Sequence, residues 1–414
     1  MTFKNYFFSL ALAAALFLAP INLFFKWGES QAYVGGIFTD YLVQKLWLAE
    51  IPVLLIIALW FTKIIQRERL KIPSFFKKNA LWLVVLLSLA VRQYFSPLPA
   101  TSWWYFTKLI ELILFGLALT HFWPRLHMSL VRYALLITIV FQAGIATLQF
   151  VRQQPLFEYQ VLGETQLTAT LNIARAQFKT GQMILPYGTT AHPNILAGVV
   201  VIFGALWFQL RSNRQYKLPW QDLLTIGIIS WVVFLTQSVS ALLALLLFLF
   251  SQYFSQFKKY FLTLAISLII AAPIVLMFLS EQWQTESTLR RVFLNAHATS
   301  VIFQQPVFGT GLGLFTSTLA HITSNNFSQF IRFIQPVHHI VLLWLAETGL
   351  LGITFLWLGV SKLKFSNNFD WLLILAPLIS LDHYLLTQWV GGVMMVLLIN
   401  QAIRQHRSLG RRNE

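Results

Sequence analysis

Residues 261–279 read FLTLAISLIIAAPIVLMFL, a run of nineteen positions without a charged side chain. A helix needs about 20 mostly apolar residues to cross the hydrocarbon core of a bilayer, so this run predicts a transmembrane helix. On either side of it the chain contains further mostly apolar runs, which bring the total to twelve, at 7–25, 46–62, 80–96, 103–121, 133–150, 194–210, 223–237, 240–257, 261–279, 340–360, 371–387 and 388–403. The sequence therefore predicts an all-α fold, a polytopic transmembrane bundle of about twelve spans that occupies 1–414 as a single membrane domain.

The composition of the 414 residues points to the same class of protein. Hydrophobic residues make up 57% of the chain and charged residues only 11%, against about 25% charged residues in a typical soluble domain. Such a chain has too little polar surface to cover a water-soluble globule, which excludes a soluble enzyme, a disordered chain and a fibrous protein. The chain has no cysteine, so disulfides and thiolate metal sites are excluded as well.

Lys and Arg outnumber Asp and Glu by 30 to 14, a formal net charge of +16. In a membrane protein, positive residues mark the cytoplasmic loops. If the N-terminus is cytoplasmic, the cytoplasmic loops hold 20 of the 30 basic residues and 4 of the 14 acidic ones, which accounts for the whole net charge. We therefore predict that both termini are cytoplasmic, and we do not expect nucleic acid as a partner. A cleaved signal peptide in place of the first run is an alternative, but this orientation needs the first run as a span.

Two connections on the predicted outer side are long, 151–193 and 280–339, and loops of this length are usually functional. Arginine binds phosphate through two parallel hydrogen bonds, and histidine transfers protons near neutral pH. The first loop contains the cations Arg175 and Lys179. The second loop contains arginines and histidines, namely Arg290, Arg291, Arg332, His338 and His339. This combination favours a site for an anionic substrate, and the alternative is that these cations bind lipid headgroups.

Other features of the second loop limit the chemistry. The run Gly309-Thr-Gly-Leu-Gly lacks the Lys-Ser/Thr pair and the strand–loop–helix context of a phosphate-binding P-loop. We predict instead a tight turn that follows a membrane-surface helix at about 288–304. No Asp, Glu or His cluster in the outer loops has the spacing of metal ligands, so we expect neither a metal nor another cofactor.

Charged residues inside the predicted spans are costly and need an explanation. Lys108 and Glu111 are three residues apart on one helix and can neutralise each other. Glu50 and Glu347 have no evident partner in the sequence.

Polar residues at the ends of two further runs have a structural interpretation. His192 precedes Pro193, a favoured residue in the first turn of a helix, and Asn194 or Thr190 can cap that helix. Asp382 and His383 lie in the run 371–387, where we expect a polar packing network, with a catalytic role as the minority alternative.

Three motifs lie in the region 187–352, namely His338 with Gly349 and Gly352, the run 187–198, and Arg291 with the segment 306–315. Together they resemble the O-antigen ligase and O-antigen polymerase superfamily. His338 is followed after His339 by nine residues, Gly349, two residues and Gly352, which resembles the family's signature at the last large loop. In that signature a histidine is followed by a residue that is usually Asn, Ser or Gln, and then by two glycines at these spacings.

The other two motifs precede this signature in the chain. Residues 187–198, Tyr-Gly-Thr-Thr-Ala-His-Pro-Asn-Ile-Leu-Ala-Gly, resemble the family's entry into the span after its first large loop. Arg291 followed by Pro306-Val-Phe-Gly-Thr-Gly-Leu-Gly-Leu-Phe resembles the family's Arg-led surface helix and the turn after it. The three motifs occur in the family's order, and all lie on the predicted outer face.

The resemblance implies a glycosyltransferase of the cell envelope. Such an enzyme moves a glycan from an isoprenoid diphosphate carrier, such as undecaprenyl diphosphate, to an acceptor hydroxyl on a lipid, glycan or protein in polysaccharide biosynthesis. The chemistry needs fixed cations beside the leaving diphosphate and a base for the acceptor proton. His338 is the expected catalytic residue by motif match. The expected diphosphate ligands are Arg291, Arg332, Arg175 and Lys179, and the possible supporting residues are Arg290, His339, Gly349, Gly352, His192, Asn194, Asp382 and His383.

The chain departs from the family pattern at two positions. His339 stands where an amide is usual, and Leu185 stands where the family commonly has an arginine, three residues before the Gly188-Thr189 pair. Leu185 casts doubt on the diphosphate contact from the first loop, and Arg175 and Lys179 are the nearest basic candidates.

Several functions stay open on the sequence alone. Ligases, polymerases and protein O-oligosaccharyltransferases share these motifs. Twelve spans are also common in transporters, including lipid-glycan flippases, although the chain has no convincing internal repeat. A relative that only binds the glycolipid and is inactive is the third alternative.

Overall fold

The computed structural model describes residues 3–67, 72–167, 173–179, 181–211, 220–282, 285–322, 331–361 and 370–410. Parts of the two predicted outer loops, 168–172, 180, 283–284 and 323–330, lie outside these ranges. The described chain is mostly helical, as the apolar composition requires. In lipid the backbone hydrogen bonds of a spanning segment must be made within the protein, and a helix makes them all within one segment.

Each of the twelve apolar runs overlaps one helix of 12 to 25 residues. Two further helices lie between the runs, and one short helix lies inside the run 371–387. In chain order the helices are α1 (Phe3–Leu18), α2 (Glu50–Arg67), α3 (Ile72–Tyr94), α4 (Pro99–Phe122), α5 (Met128–Arg152), α6 (Tyr159–Leu162), α7 (Pro193–Gln209), α8 (Trp220–Thr236), α9 (Val239–Tyr253), α10 (Lys258–Gln282), α11 (Glu286–Gln304), α12 (Ile340–Val360), α13 (Asp370–Leu381), α14 (Tyr384–Thr387) and α15 (Trp389–Gly410). Four stretches of helix are long and apolar enough to cross a membrane, Pro99–Arg125, Met128–Arg152, Lys258–Leu279 and Ile340–Val360. The chain is therefore an all-α membrane protein at this level of description.

The run 371–387 does not form one helix, in contrast to the prediction. Helix α13 ends at Leu381, and after Asp382 and His383 the chain makes only the single turn α14 before α15 begins. The carboxylate of Asp382 accepts hydrogen bonds from two other helices, and this fixes the residue outside helical geometry. The break opens a polar position where the sequence predicts a continuous span.

Strands occur only in short antiparallel hairpins among the described residues. Strand β1 (Phe24–Trp27) pairs with β4 (Gln44–Trp47), and β2 (Tyr33–Val34) pairs with β3 (Ile37–Phe38) between them. Strand β5 (Arg175–Phe178) pairs with β6 (Gly181–Ile184) in the first predicted outer loop. The strands between α1 and α2 are not among the predicted elements, which consist of the apolar runs and one surface helix.

The glycine-rich segment after α11 forms the predicted turn, and it packs against the middle of α12. The amide of Thr310 donates to the carbonyl of Ala346 at 2.9 Å, and the amide of Leu350 donates to the carbonyl of Pro306 at 2.8 Å. Gly349 makes this exchange possible, since its φ of 59° and ψ of −156° interrupt the helix. The turn thus replaces hydrogen bonds that α12 loses at its own break.

Both glutamates that lacked an evident partner in the sequence have partners in the fold. The carboxylate of Glu347 accepts the amides of Gly313, at 2.9 Å, and Phe315, at 3.3 Å, so it caps the turn from inside. Lys108 contacts Glu111 as predicted, and it also pairs with Glu50 across the interface of α4 with α2. Long-range contacts of this kind are not visible in a single sequence.

We expect Gly349→Ala to destabilise the protein strongly. The backbone conformation of Gly349 is almost exclusive to glycine, and an added Cβ would lie 2.5 Å from the carbonyl carbon of Val307. The expected loss in unfolding free energy is about 3 kcal/mol or more. Gly144→Ala in α5 is the matched control, because no atom lies within 4 Å of its Cβ position. The thermal unfolding midpoint in detergent measures both, and equal midpoints for the two variants would contradict the assigned role of Gly349.

Candidate functional site

A cavity of about 930 Å³ lies at the N-terminal ends of α7, α9 and α11. Side chains from the middle of α10, from the segment before α12 and from the break between α13 and α14 also line it. It brings together residues that are far apart in the chain. Of the residues predicted for the site, those that line it are Arg175, His192, Asn194, Arg290, Arg291, Arg332, His338, Asp382 and His383. Lys179, His339, Gly349 and Gly352 do not line it.

His338 lies directly before α12, and its Nδ1 is buried without a hydrogen-bond partner among the described residues. Its ring packs edge-on against the ring of His383, with the centroids 4.9 Å apart. Burial lowers the pKa of His338 well below its usual value, and the neighbouring His383 and the charges of Arg291 and Arg290 lower it further. His338 is therefore neutral near pH 7 and has a nitrogen that can accept a proton.

The neighbouring His339, not His338, caps helix α12. Its Nδ1 accepts the amide of Leu342 at 3.3 Å, as an N-cap side chain does. His339 thus fills the cap position of α12, and His338 does not cap this helix.

Arg290 and Arg291 come from the first turns of α11, whose N-terminal end is capped by the side chain of Thr285. The Nε atoms of both arginines are buried without an acceptor in the described part of the chain. Arg332 is different, because its Nη1 lies 2.6 Å from Glu286 Oε2 in an ion pair. Arg290 and Arg291 are therefore the stronger candidates for an anionic ligand, and Arg332 already has a carboxylate partner.

The hairpin of β5 and β6 places Arg175 on the cavity and Lys179 away from it, near the turn of the hairpin. The antiparallel register pairs Arg175 with Ile184, one residue before Leu185. Leu185 itself is buried, and its amide donates to the carbonyl of Ala174. Arg175 thus lies on the strand that pairs with the segment just before Leu185, and it lines the cavity.

A polar network joins three helices behind the histidines. The carboxylate of Asp382 accepts from Ser240 Oγ at 2.8 Å and from Asn194 Nδ2 at 3.3 Å, which ties α7 and α9 to the break after α13. His192, not Asn194 or Thr190, caps α7, since its Nδ1 accepts the amide of Asn194 at 3.2 Å. The network fits the structural interpretation of Asp382, although Asp382 also faces the cavity.

His383 is held from two sides. Its Nδ1 lies 2.8 Å from Thr387 Oγ1, and the ring of Tyr41 packs edge-on against it with the centroids 5.5 Å apart. Tyr41 reaches the cavity from the loop between α1 and α2, and its pKa is raised to about 12, mainly by burial. The sequence analysis missed Tyr41 and Ser240, and no motif or spacing in the sequence marks either of them.

One wall of the cavity is apolar. It consists of side chains from one face of α10, namely Leu268, Ala271, Ala272, Val275, Leu276 and Leu279. The rest of the lining includes four arginines and, as its acidic residues, Glu286 and Asp382. The cavity thus combines a surface for a hydrocarbon chain with a surface for an anion.

Gly349 and Gly352, the two glycines of the signature, act through packing. A Cβ on Gly352 would lie 1.8 Å from Thr348 Oγ1, and Gly349 admits the backbone of the turn after α11. Gly349 therefore lets that turn pack against the helix that follows His338, and Gly352 leaves room for the side chains of Thr348 and Trp344 on the same helix. Neither glycine lines the cavity.

No protein-family model matches the chain, and no curated sequence matches it either. The functional assignment consequently depends on the cavity and on the residues that line it. Among the described residues, no three His, Asp or Glu side chains are grouped so as to hold a metal ion.

The lowered pKa values predict an acid-sensitive fold. Burial and the charges of Arg290 and Arg291 lower the pKa of His192 to about 4, from about 6.5 in the unfolded chain. The unfolded state then binds protons more readily, so this contribution to stability is complete above about pH 6.5 and is lost as the pH falls towards 4. We expect the unfolding midpoint to fall between pH 7.5 and pH 5, and to fall less in His192→Asn, which keeps an oxygen that can cap α7. Comparison with the variant removes the effect of all other titrating groups, and an equal fall in both proteins would contradict the lowered pKa.

Proposed function

We propose that the protein is a metal-independent glycosyltransferase of the O-antigen ligase kind, which moves a glycan from an isoprenoid diphosphate carrier to an acceptor hydroxyl. The observation that carries the proposal is the cavity where Arg290 and Arg291, whose buried Nε atoms have no acceptor among the described residues, meet the apolar wall of α10 and His338, whose Nδ1 has no partner there either. The resemblance of the motifs in 187–352 to this superfamily supports the same chemistry.

The donor fits the two walls in one orientation. Its hydrocarbon chain lies along α10, where burial of apolar surface contributes about 25 cal/mol per Å². Its diphosphate lies beside Arg290 and Arg291, whose planar guanidinium groups match phosphate oxygens. Arg175 approaches from the hairpin of β5 and β6, and Arg332 is held nearby by Glu286.

In the transfer step the acceptor oxygen attacks the anomeric carbon of the donor sugar. His338 takes the hydroxyl proton on its free nitrogen, and the bond between the anomeric carbon and the diphosphate oxygen breaks. The diphosphate leaves with the electron pair of that bond. Arg290 and Arg291 stabilise the negative charge that develops on the leaving oxygen. Because its pKa is lowered, His338 is unprotonated at neutral pH and ready to accept the proton.

The membrane arrangement is part of the proposal. We infer twelve spans in the cytoplasmic (inner) membrane, with both termini in the cytoplasm and the cavity on the outer face. The support is that each of the twelve apolar runs overlaps a helix, four of these helices being long and apolar enough to cross a membrane, together with the excess of Lys and Arg on one side. Membrane lipids surround the bundle, and the donor reaches the cavity from the bilayer.

The acceptor decides which member of the superfamily this is. A lipid acceptor makes the protein a ligase, a carrier-linked glycan makes it a polymerase, and a protein hydroxyl makes it a protein O-oligosaccharyltransferase. Analysis of the product formed by the purified protein from a defined carrier-linked donor distinguishes the three.

We expect His338→Gln to reduce glycan transfer by about 10²- to 10⁴-fold, since a general base contributes that much. Gln retains polar character and similar length, so the fold should persist, as the unfolding midpoint will show. His121→Gln is the control, because His121 contacts Arg125 at the far end of α4 and does not line the cavity. Full activity in His338→Gln would exclude His338 as the base. Transport of the donor across vesicles without any transfer product would favour a flippase instead.

We expect Arg291→Ala to weaken binding of the carrier diphosphate by about 10- to 100-fold, since hydrogen bonds to charged groups contribute about 1.5–3 kcal/mol. The measurement is titration of the detergent-solubilised protein with undecaprenyl diphosphate. Lys179→Ala removes an exposed cation that does not line the cavity and should leave binding unchanged. If both variants bind undecaprenyl diphosphate equally well, the ligand is held elsewhere. If Arg291→Ala weakens binding but the unmodified protein transfers no glycan, the protein is an inactive relative that only binds the glycolipid.

A further inference from the structure

Helix α10 contains a proline in its interior. Pro273 has no amide hydrogen, so the carbonyl of Ile269, four residues earlier, loses its partner within the helix. In a hydrocarbon environment no water can replace that partner, and an unsatisfied carbonyl costs several kcal/mol. Another group must therefore donate to the carbonyl of Ile269.

The donor is the side chain of His339. Its Nε2 lies 2.8 Å from the carbonyl oxygen of Ile269, across the interface between α12 and α10. The other ring nitrogen fixes the tautomer, because Nδ1 accepts the amide of Leu342 and so cannot carry the hydrogen. Nε2 therefore bears the hydrogen and donates it to Ile269.

His339 thus makes two connections with one buried ring. It caps the first turn of α12, and it joins that turn to the proline break of α10. The residue before it is His338, and the helix that it reaches forms the apolar wall of the cavity. Helix α10 packs mainly on α11, α13 and α9. The hydrogen bond from His339 to Ile269 connects α10 to the start of α12 as well.

We propose that His339 is a positioning residue, which holds His338 at a fixed distance from the apolar wall of α10 through its hydrogen bond to the carbonyl of Ile269. The inference rests on the proposed function of the cavity. It also explains why a histidine stands at this position, because the amide of Asn can cap α12 but is too short to reach Ile269 as well. A five-membered ring with nitrogens on both sides makes both bonds.

Two substitutions separate the two bonds. The side-chain oxygen of Asn replaces Nδ1, so His339→Asn keeps the cap and loses the bond to Ile269. The amide nitrogen of Gln replaces Nε2, so His339→Gln keeps the bond and loses the short cap. We expect kcat to fall about 10- to 100-fold in His339→Asn with KM for the donor changed less than about threefold, since a small misplacement of a reacting group costs this much. His339→Gln should keep kcat within about threefold of the unmodified protein.

Pro273→Ala tests whether the role is positional or only structural. Alanine restores an amide that can donate to the carbonyl of Ile269, so the double variant His339→Asn, Pro273→Ala should recover the unfolding midpoint that His339→Asn loses. The helices are still not joined in the double variant, and kcat should stay low. Recovery of kcat together with stability would overturn the positioning role and leave His339 as a partner of the carbonyl alone.

A distance measurement judges the connection without reference to any reaction. Because the chain has no cysteine, two spin labels can be attached to one new pair of cysteines. One cysteine replaces Phe278 in α10 and the other replaces Leu350 in α12, and both of these residues are exposed. We expect the distance distribution to broaden in His339→Asn and to stay narrow in His339→Gln. An unchanged distribution in His339→Asn would overturn the proposal. If no variant and no unmodified protein transfers glycan, the proposed function fails, while the distance distribution still decides the role of His339.

Discussion

Every backbone amide and carbonyl in the bilayer must find its hydrogen-bond partner inside the protein, and the structure around the cavity depends on this constraint. Helices meet it automatically, but the described helices contain interruptions, three of which bear on the cavity. Pro273 interrupts α10, Gly349 interrupts α12, and the chain leaves helical geometry after Leu381. At each break other parts of the chain supply polar partners, and two of the three breaks border the cavity directly.

The partners at these breaks make the cavity possible. The turn after α11 bonds to α12 across Gly349, and the network of Asp382 joins α7, α9 and the end of α13. Regular helices would present only side chains to the interior, and their backbones could not come so close. The break after Leu381 lets a short polar segment with Asp382 and His383 enter the bundle, where the ring of His383 packs against that of His338. The groups that satisfy the interrupted backbone therefore also hold side chains that line the cavity.

The sequence predicts the helices well and the site only in part. Long apolar runs such as 261–279 carry their own signal, because length and hydropathy decide whether a segment is stable in lipid. The arginines and His338 are predictable by their residue type and motif spacing. Tyr41, Ser240 and the partners of Glu50 and Glu347 are not, since they meet across loops and helices whose packing has no local signature. The run 371–387 reads as one span for the same reason, because the partners that stabilise its break at Asp382 come from α7 and α9.

The size of the cavity carries a further consequence for what the protein recognises. A volume of about 930 Å³ is typical of sites that enclose a ligand of drug size. Under the proposed function, the cavity would hold the diphosphate and the sugar attached to it, and a longer glycan would extend into water. The protein would then distinguish donors at the junction between the lipid and the first sugar, and the distal sugars would contribute little to recognition. Such an enzyme would accept glycans of many lengths, and the enzymes that assemble the donor would set the length of the product.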